Sequence, residues 1–173
     1  SINVHAPLAV GLSGEDAGLI AASARDPELG FVGDVDSVEP SILQRLLAED
    51  LIPVLSTIGS DSSGQAYNIN ADTVAGAVAV ALGAEKVAYL TDVAGILGVD
   101  GELIHQVDAD GLDALIAEGT VAGGMVPKVG ACLHAVRRGV TSAHVLDGRV
   151  PHVLLLELFT DEGVGTMITG SES

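Results

Sequence analysis

Apolar positions along the chain fall into two alternating rhythms, short apolar blocks and stretches with helical spacing. Pro7 to Leu12, with Leu8, Ala9 and Val10 inside it, reads as a short strand. Ser13-Gly14-Glu15-Asp16 has the Ser-x-x-Asp spacing of a capping box and predicts a helix to about Ala22, broken by Asp26-Pro27-Glu28. Leu29 to Val35 reads as a strand whose Gly30 and Gly33 permit a turn or a close backbone approach. A helix is expected from Pro40, with Ile42, Leu43, Leu46 and Leu47 inward and Gln44, Arg45 and Glu49 toward water. Leu51 to Ile58 is the next strand, and Gly59 to Gly64 a polar loop.

That loop delivers the chain to Tyr67-Asn68-Ile69-Asn70-Ala71-Asp72-Thr73, followed by a segment to Leu82 that is apolar almost all round. Such a helix is normally sandwiched inside a domain, so the polar groups at its mouth need partners. One Asn suffices as N-cap. Two amides and a carboxylate together read as a candidate site. Gly83 sits where a helix-ending glycine belongs. Lys86 to Leu90 is a strand, and Asp100-Gly101 between Ile96-Leu97 and Leu103-Ile104 signals a hairpin turn. Asp108 is placed to cap a helix carrying Leu112, Leu115 and Ile116 and ending at Gly119. The Gly123-Gly124 loop opens another helix, striped by Val129, Cys132, Leu133 and Val136 and closed by Arg137-Arg138-Gly139. Ser142 to Leu146 is a strand, Pro151 to Leu158 a helix and Gly165 to Thr169 a last strand. Strands alternating with helices predict an α/β fold with right-handed βαβ units and a mostly parallel sheet.

Composition sharpens this picture. The chain has 173 residues, 48% of them hydrophobic, but only two Phe, two Tyr and no Trp. A core of Val, Leu, Ile and Ala suits strands buried on both faces. The single Cys132 excludes an internal disulfide, fits a reducing cytoplasm and falls on an apolar helical stripe, where packing outweighs nucleophilic chemistry. No apolar run reaches membrane-spanning length, so no membrane partner is expected. The start at Ser1-Ile2-Asn3, without Met, points to a processed protein or an excised fragment. A net charge of −17 argues against nucleic acid and obliges any anionic ligand to find local help from the seven Lys and Arg, backbone amides, helix N-termini or a metal ion.

Ligands of such sheets gather beyond the C-terminal strand ends. Thr57 to Asp72, Thr91-Asp92-Val93-Ala94-Gly95 and Asp147-Gly148-Arg149 all fall there. Lys128 near a helix N-terminus opposes the dipole unless an anion lies close, which makes it a phosphate-binding candidate beside the plainer reading of a surface lysine. Neither G-x-x-x-x-G-K-[ST] nor G-x-G-x-x-G before a helix is present, and the five scattered histidines form no metal pair.

Three stretches, Tyr67-Asn68-Ile69-Asn70-Ala71-Asp72, Leu90-Thr91-Asp92-Val93-Ala94-Gly95-Ile96 and Gly123-Gly124-Met125-Val126-Pro127-Lys128, resemble in order and spacing the amino acid kinase family. Gly33-Asp34-Val35 and Phe159-Thr160-Asp161-Glu162-Gly163-Val164-Gly165-Thr166 direct the likeness to members that phosphorylate N-acetyl-L-glutamate, over aspartate, carbamate or uridylate kinases. It runs from about residue 3 to residue 170.

The resemblance implies a three-layer α/β sandwich of the carbamate kinase-like kind, truncated. Residues 1–75 would be the remainder of the acetylglutamate-binding lobe and 76–173 the ATP-binding lobe, joined in one continuous sheet. It implies transfer of the γ-phosphoryl group of ATP to the γ-carboxylate of N-acetyl-L-glutamate, in arginine biosynthesis, with Mg2+ bound through the nucleotide phosphates. Asp72 would organise catalytic lysines and Lys128 would stand nearest the leaving ADP oxygens, the two facing each other across a nucleotide crevice. Asn68 would hold the α-carboxylate side of the acceptor, with Asn70 in support. Thr91, Asp92, Val93, Gly95 and Leu97 would wall the ATP site together with Gly123, Gly124 and Met125. His144, Glu157 and Gly163 match a regulatory arginine pocket of some members. A cytoplasmic homo-oligomer is expected of the intact enzyme.

The family's N-terminal Lys-x-Gly-Gly loop has no counterpart here. The other lysine, Lys86, begins its strand on the edge away from the site. The chain therefore resembles the C-terminal three-fifths of such a kinase and is expected to bind nucleotide while catalysing little alone. A non-catalytic nucleotide- or arginine-binding module of the same fold, and a different amino acid kinase, are the alternative readings.

Overall fold

The computed structural model describes residues 2–159 and 163–171. The chain divides into two compact units, Ser1–Leu82 and Gly83–Ser173. Among the described residues no helix is long and apolar enough to cross a membrane.

In the first unit, β1 (Ala9–Ser13) runs parallel to β4 (Ile52–Ser56), with Ala9 opposite Ile52 and Ser13 opposite Ser56. Four more strands, β2 (Ile20–Ala24), β3 (Val32–Val38), β5 (Ile58–Ser60) and β6 (Ala66–Ile69), close on one another in the order β2-β3-β6-β5. Helices α1 (Ser41–Ala48) and α2 (Ala71–Leu82) complete the unit. The core is Leu19, Ile20, Ala22, Leu43, Ile69 and Val74, with Leu12, Val35, Leu55 and Val78 packed against it.

Two sequence expectations fail here. The helix from Ser13 to Ala22 does not form, although half of the box does: Asp16 Oδ2 accepts from the Ser13 backbone N–H at 2.7 Å. Ala17 (φ 55°) and Gly18 (φ 66°) then take left-handed conformations, which end any helix. Ile20 and Ala22 are buried on one side of a strand paired antiparallel with β3, so period-two burial overrides the local cap. Gly59 to Gly64 is likewise not all loop. Ile58–Ser60 pairs antiparallel with Ala66–Ile69, and Asp61 Oδ1 closes the turn by accepting from the N–H groups of Ser63 (2.8 Å) and Gln65 (3.0 Å).

In the second unit, β7 (Lys86–Thr91), β8 (Gln106–Asp108), β9 (Ser142–Asp147) and β10 (Thr166–Thr169) form one sheet in the order β7-β9-β10-β8. Helices α3 (Ala109–Ala117), α4 (Met125–Arg137) and α5 (Val153–Phe159) accompany it. The β7/β9 and β8/β10 ladders are parallel and β9/β10 antiparallel. Taken with the first unit, most ladders are parallel, the antiparallel exceptions among the described residues being β2/β3, β5/β6 and β9/β10.

Central strand β9 is buried from Ser142 to Leu146, with Ala143, Val145 and Leu146 in the core and the two polar residues, Ser142 and His144, hydrogen-bonded to each other. Neighbouring β7 alternates instead, with Val87 and Tyr89 inward and Leu90 exposed, and β4 likewise exposes Ile52 and Val54. The largely aliphatic composition therefore does not mean that every strand is covered on both faces. The α4 stripe is as read: Val129, Cys132, Leu133 and Val136 are buried. Asp108 caps α3, its Oδ1 accepting from the Gly111 N–H at 2.7 Å. The hairpin at Asp100-Gly101 closes with the Gly98 N–H donating to the Glu102 carbonyl at 2.8 Å. Strand β8 was not anticipated, and α5 starts two residues later than Pro151 because His152 adopts φ 61°.

Candidate functional site

In the first unit, the polar trio sits where β6 ends and α2 begins. Asn70 is the N-cap: its Oδ1 accepts from the N–H groups of Asp72 (2.9 Å) and Thr73 (3.2 Å). Asp72 lies in the first turn of α2, where the helix dipole favours a carboxylate. Asn68 is on the strand, not in the helix mouth, with its backbone N–H bonded to the Phe31 carbonyl at 2.8 Å and its residue exposed. Buried Ile69 separates the two amides and anchors this corner to the core.

In the second unit, a cavity of about 200 Å³ is lined by Val93, Gly95, Ile96, Leu97, Thr120, Val121, Ala122 and Met125. Its walls are the segment leaving the C-terminal end of β7 and the segment entering α4. Of the residues the resemblance assigns to a nucleotide, Val93, Gly95, Leu97 and Met125 line it. Gly123 and Gly124 form the turn into α4, where the Val126 N–H donates to the Gly123 carbonyl at 3.2 Å. Thr91 and Asp92 stand one step before the cavity, the Thr91 hydroxyl 3.4 Å from Asp92 Oδ1.

Thr120, Val121, Ala122 and Ile96 were not singled out from sequence. An apolar Val121 inside a loop, 5% exposed, was the available signal. A further contributor comes from far along the chain: the Ile96 N–H donates to the fully buried Thr166 hydroxyl at 2.8 Å.

Lys128 is in the first turn of α4, and its Nζ lies 5.7 Å from the centre of the Tyr89 ring on β7, within cation–π range. Lys86 occupies the opposite end of β7 from Thr91. At the C-terminal end of β9, Arg149 grips Asp147 through two bonds of 2.8 Å, Nε to Oδ1 and a terminal nitrogen to Oδ2. These bonds, with the Arg149 backbone N–H, hold the Asp147 carboxyl down at about 2. The Gly148 N–H donates to the Thr91 carbonyl at 2.8 Å, tying the ends of β7 and β9 together. Arg149, the cation nearest that edge in sequence, is thus already engaged by a carboxylate.

The three positions assigned to an arginine pocket come together. His144 is buried and its Nδ1 lies 2.6 Å from Glu157 Oε1. A carboxylate only accepts, so Nδ1 carries a proton toward it, while Nε2 lies 2.8 Å from the Ser142 hydroxyl. Glu157 Oε2 accepts from the Val164 N–H at 2.7 Å. Burial pushes the Glu157 carboxyl up, but the Val164 and Gly165 amides together with His144 outweigh it and leave it below its ordinary value. Gly163 adopts φ +61°, and a Cβ there would sit 3.2 Å from Glu157 Oε2, so a side chain would be strained and crowded. Thr160, Asp161 and Glu162 of the same motif lie outside the described residues. Among the described residues no three His, Cys, Asp or Glu side chains group as a metal site.

A profile of the amino acid kinase family matches residues 2–147. The chain is 53% identical over 175 residues to the acetylglutamate kinase of Nostoc sp., covering 99% of this chain and 59% of that protein. It spans about three-fifths of the length of the curated relatives it matches. Among solved structures it superposes on N-acetylglutamate synthase from Neisseria gonorrhoeae, complexed with coenzyme A and N-acetyl-glutamate, with a TM-score of 0.83 at 27% identity, over 94% of this chain and 38% of that one. Carbamate kinase from Giardia lamblia has the same fold, with a TM-score of 0.65 at 17% identity, over 81% of this chain and 47% of that one.

Proposed function

The chain belongs to the amino acid kinase family and has its carbamate kinase-like α/β fold, and from that premise we propose that it is part of an ATP-dependent acetylglutamate kinase. The observation that carries this reading is the cavity between the β7 exit and the α4 entry, with Lys128 in the first turn of α4. Ligand pockets for whole drug-sized molecules run to about 300–1,000 Å³, so a space of about 200 Å³ suits one part of a nucleotide, its flat base. A lining of mostly apolar side chains fits that part. The phosphates would extend toward the turn at Gly123-Gly124 and the Lys128 ammonium.

We read the Ser1–Leu82 unit as belonging to the acceptor-binding lobe and the Gly83–Ser173 unit as the ATP lobe. The acceptor is N-acetyl-L-glutamate, whose γ-carboxylate is already ionised at neutral pH and needs no general base. The task left to the protein is positioning and stabilisation of spreading negative charge. In this reading Lys128 supplies charge at the leaving oxygens, Asp72 orients lysine side chains, and Asn68 and Asn70 hold the acceptor. Because Asn70 Oδ1 caps α2, that residue contacts a ligand only through its amide nitrogen. Mg2+, bound mainly through phosphate oxygens and water, would add charge neutralisation, and such binding requires few protein carboxylates.

Titration of the purified chain with MgATP tests the reading. Binding is expected, weakened roughly 10-fold or more by Lys128→Ala, the loss of one charge-assisted contact. With N-acetyl-L-glutamate present, turnover is expected to stay far below the roughly 1–100 s⁻¹ of kinases, since three-fifths of a relative's length is present. Absence of MgATP binding would remove the nucleotide assignment.

The second reading is a binding module for arginine, favoured by the convergence of His144, Glu157 and Gly163. An arginine guanidinium would have to share the Glu157 carboxylate with His144 and the 163–165 turn. Calorimetry that finds arginine binding without MgATP binding would favour it. In the intact enzyme we expect a cytoplasmic homo-oligomer serving arginine biosynthesis, and the same titrations with other acceptors separate it from another amino acid kinase.

A further inference from the structure

We infer that Thr166 is a positioning residue for the nucleotide cavity, and that Glu157 sets where Thr166 stands. The inference rests on the reading that the cavity takes the nucleotide base. Thr166 has no exposed surface, and its hydroxyl is the acceptor for the Ile96 N–H across 70 positions of sequence. Ile96 is itself 2% exposed and lines the cavity, so its N–H has no route to water. Gly95 beside it approaches so closely that a Cβ would lie 2.6 Å from the Thr166 hydroxyl. One buried oxygen thus fixes the height of the cavity wall over two consecutive residues.

Thr166 is fixed in turn. Its strand pairs on both sides, Thr166 opposite Val145 on β9 and Met167 opposite Gln106 on β8. The turn just before it is held by Glu157, which accepts from the Val164 N–H at 2.7 Å and from His144 Nδ1 at 2.6 Å. The path from the buried His144–Glu157 pair to the cavity wall is therefore short: the Glu157 carboxylate, the Val164 N–H two residues before Thr166, the Thr166 hydroxyl and the Ile96 N–H. A change at Glu157 reaches the nucleotide through this path without touching it.

The test uses the full chain, with MgATP affinity by calorimetry and exchange of the Ile96 amide by NMR. Thr166→Val keeps the shape and removes the acceptor. It is expected to weaken MgATP roughly 10-fold and to speed Ile96 exchange by at least as much. Thr166→Ser keeps the acceptor and is expected to restore both, which a merely space-filling role for the methyl would not give. Glu157→Gln, with an NH2 facing one of its donors, is expected to produce a smaller loss of both and serves if the valine variant does not fold. Wild-type chain that fails to bind MgATP overturns the nucleotide reading and this inference together. Wild-type binding with Thr166→Val, or with Glu157→Gln in its place, equal in affinity and Ile96 exchange overturns the inference alone.

Discussion

Each unit of the molecule holds a mostly apolar cavity of about 200 Å³, and the two differ in the elements that bound them. The one in the first unit is bounded by Leu43, Leu47, Pro53, Leu55, Val78 and Leu82, aliphatic side chains of α1, β4 and α2. The one in the second unit is bounded by loop residues at the C-terminal end of a parallel strand and at a helix N-terminus, with glycine and a backbone fixed by Thr166. Volume therefore does not mark a site in this protein. Placement at the strand ends and a cation on the adjoining helix turn are what support the proposed nucleotide site.

The contrast breaks first if the aliphatic cavity carries function. Leu43→Ala, at a residue 3% exposed, is expected to destabilise the protein by about 2–3 kcal/mol in urea unfolding, the low end for a buried leucine because space beside it lets neighbours relax. The folded variant is expected to bind MgATP as the wild type does. Ala122→Phe inverts that pattern. It fills the second cavity from an exposed position and is expected to weaken MgATP about 100-fold, about 2.7 kcal/mol, with little change in melting temperature.

Acid sharpens the same contrast, because a buried carboxylate braces the second unit. The Glu157 carboxyl lies below its ordinary 4.5 in the folded chain, so the unfolded chain binds its proton more readily. Stability from this group is complete above that value and is lost as pH falls through the lower folded value. The stability gap between wild type and Glu157→Gln is thus expected to be full at pH 7 and to close as pH falls through the folded value, in parallel denaturant titrations. The smallest effect is that of Asp108→Ala, which removes the α3 cap and is expected to cost about 1 kcal/mol without altering nucleotide affinity.

What could be read from the sequence divides along physical lines. The stripe of α4, the strand over Ser142 to Leu146, the Asp108 cap and the Asp100-Gly101 turn were legible because each is decided by neighbours within a few residues. The segment after Ser13 was misread because Ser-x-x-Asp is satisfied equally by a turn, and the pairing of Ile20 with Val38 decides between them. Strands β5 and β8, three residues each, carry too little pattern to stand out, and their existence depends on β6 and β10.

The site divides likewise. Val93, Gly95, Leu97 and Met125 were legible through contiguous motifs. Thr120, Val121 and Ala122 carry no chemistry of their own and reach the cavity only by the path of the backbone into α4. The role of Thr166 depends on sheet order, which places β10 two strands from β7 and far from it in sequence. Asn70 shows the reverse limit: a residue marked as a ligand candidate has its oxygen committed to the start of α2.

The most direct measurement is photolabelling of the chain with an azidoadenine analogue of ATP, followed by mass mapping of the modified peptides. The account predicts label within residues 93–97 or 120–125, suppressed by excess MgATP. Label on the aliphatic cavity of the first unit, or labelling that MgATP does not suppress, would contradict it.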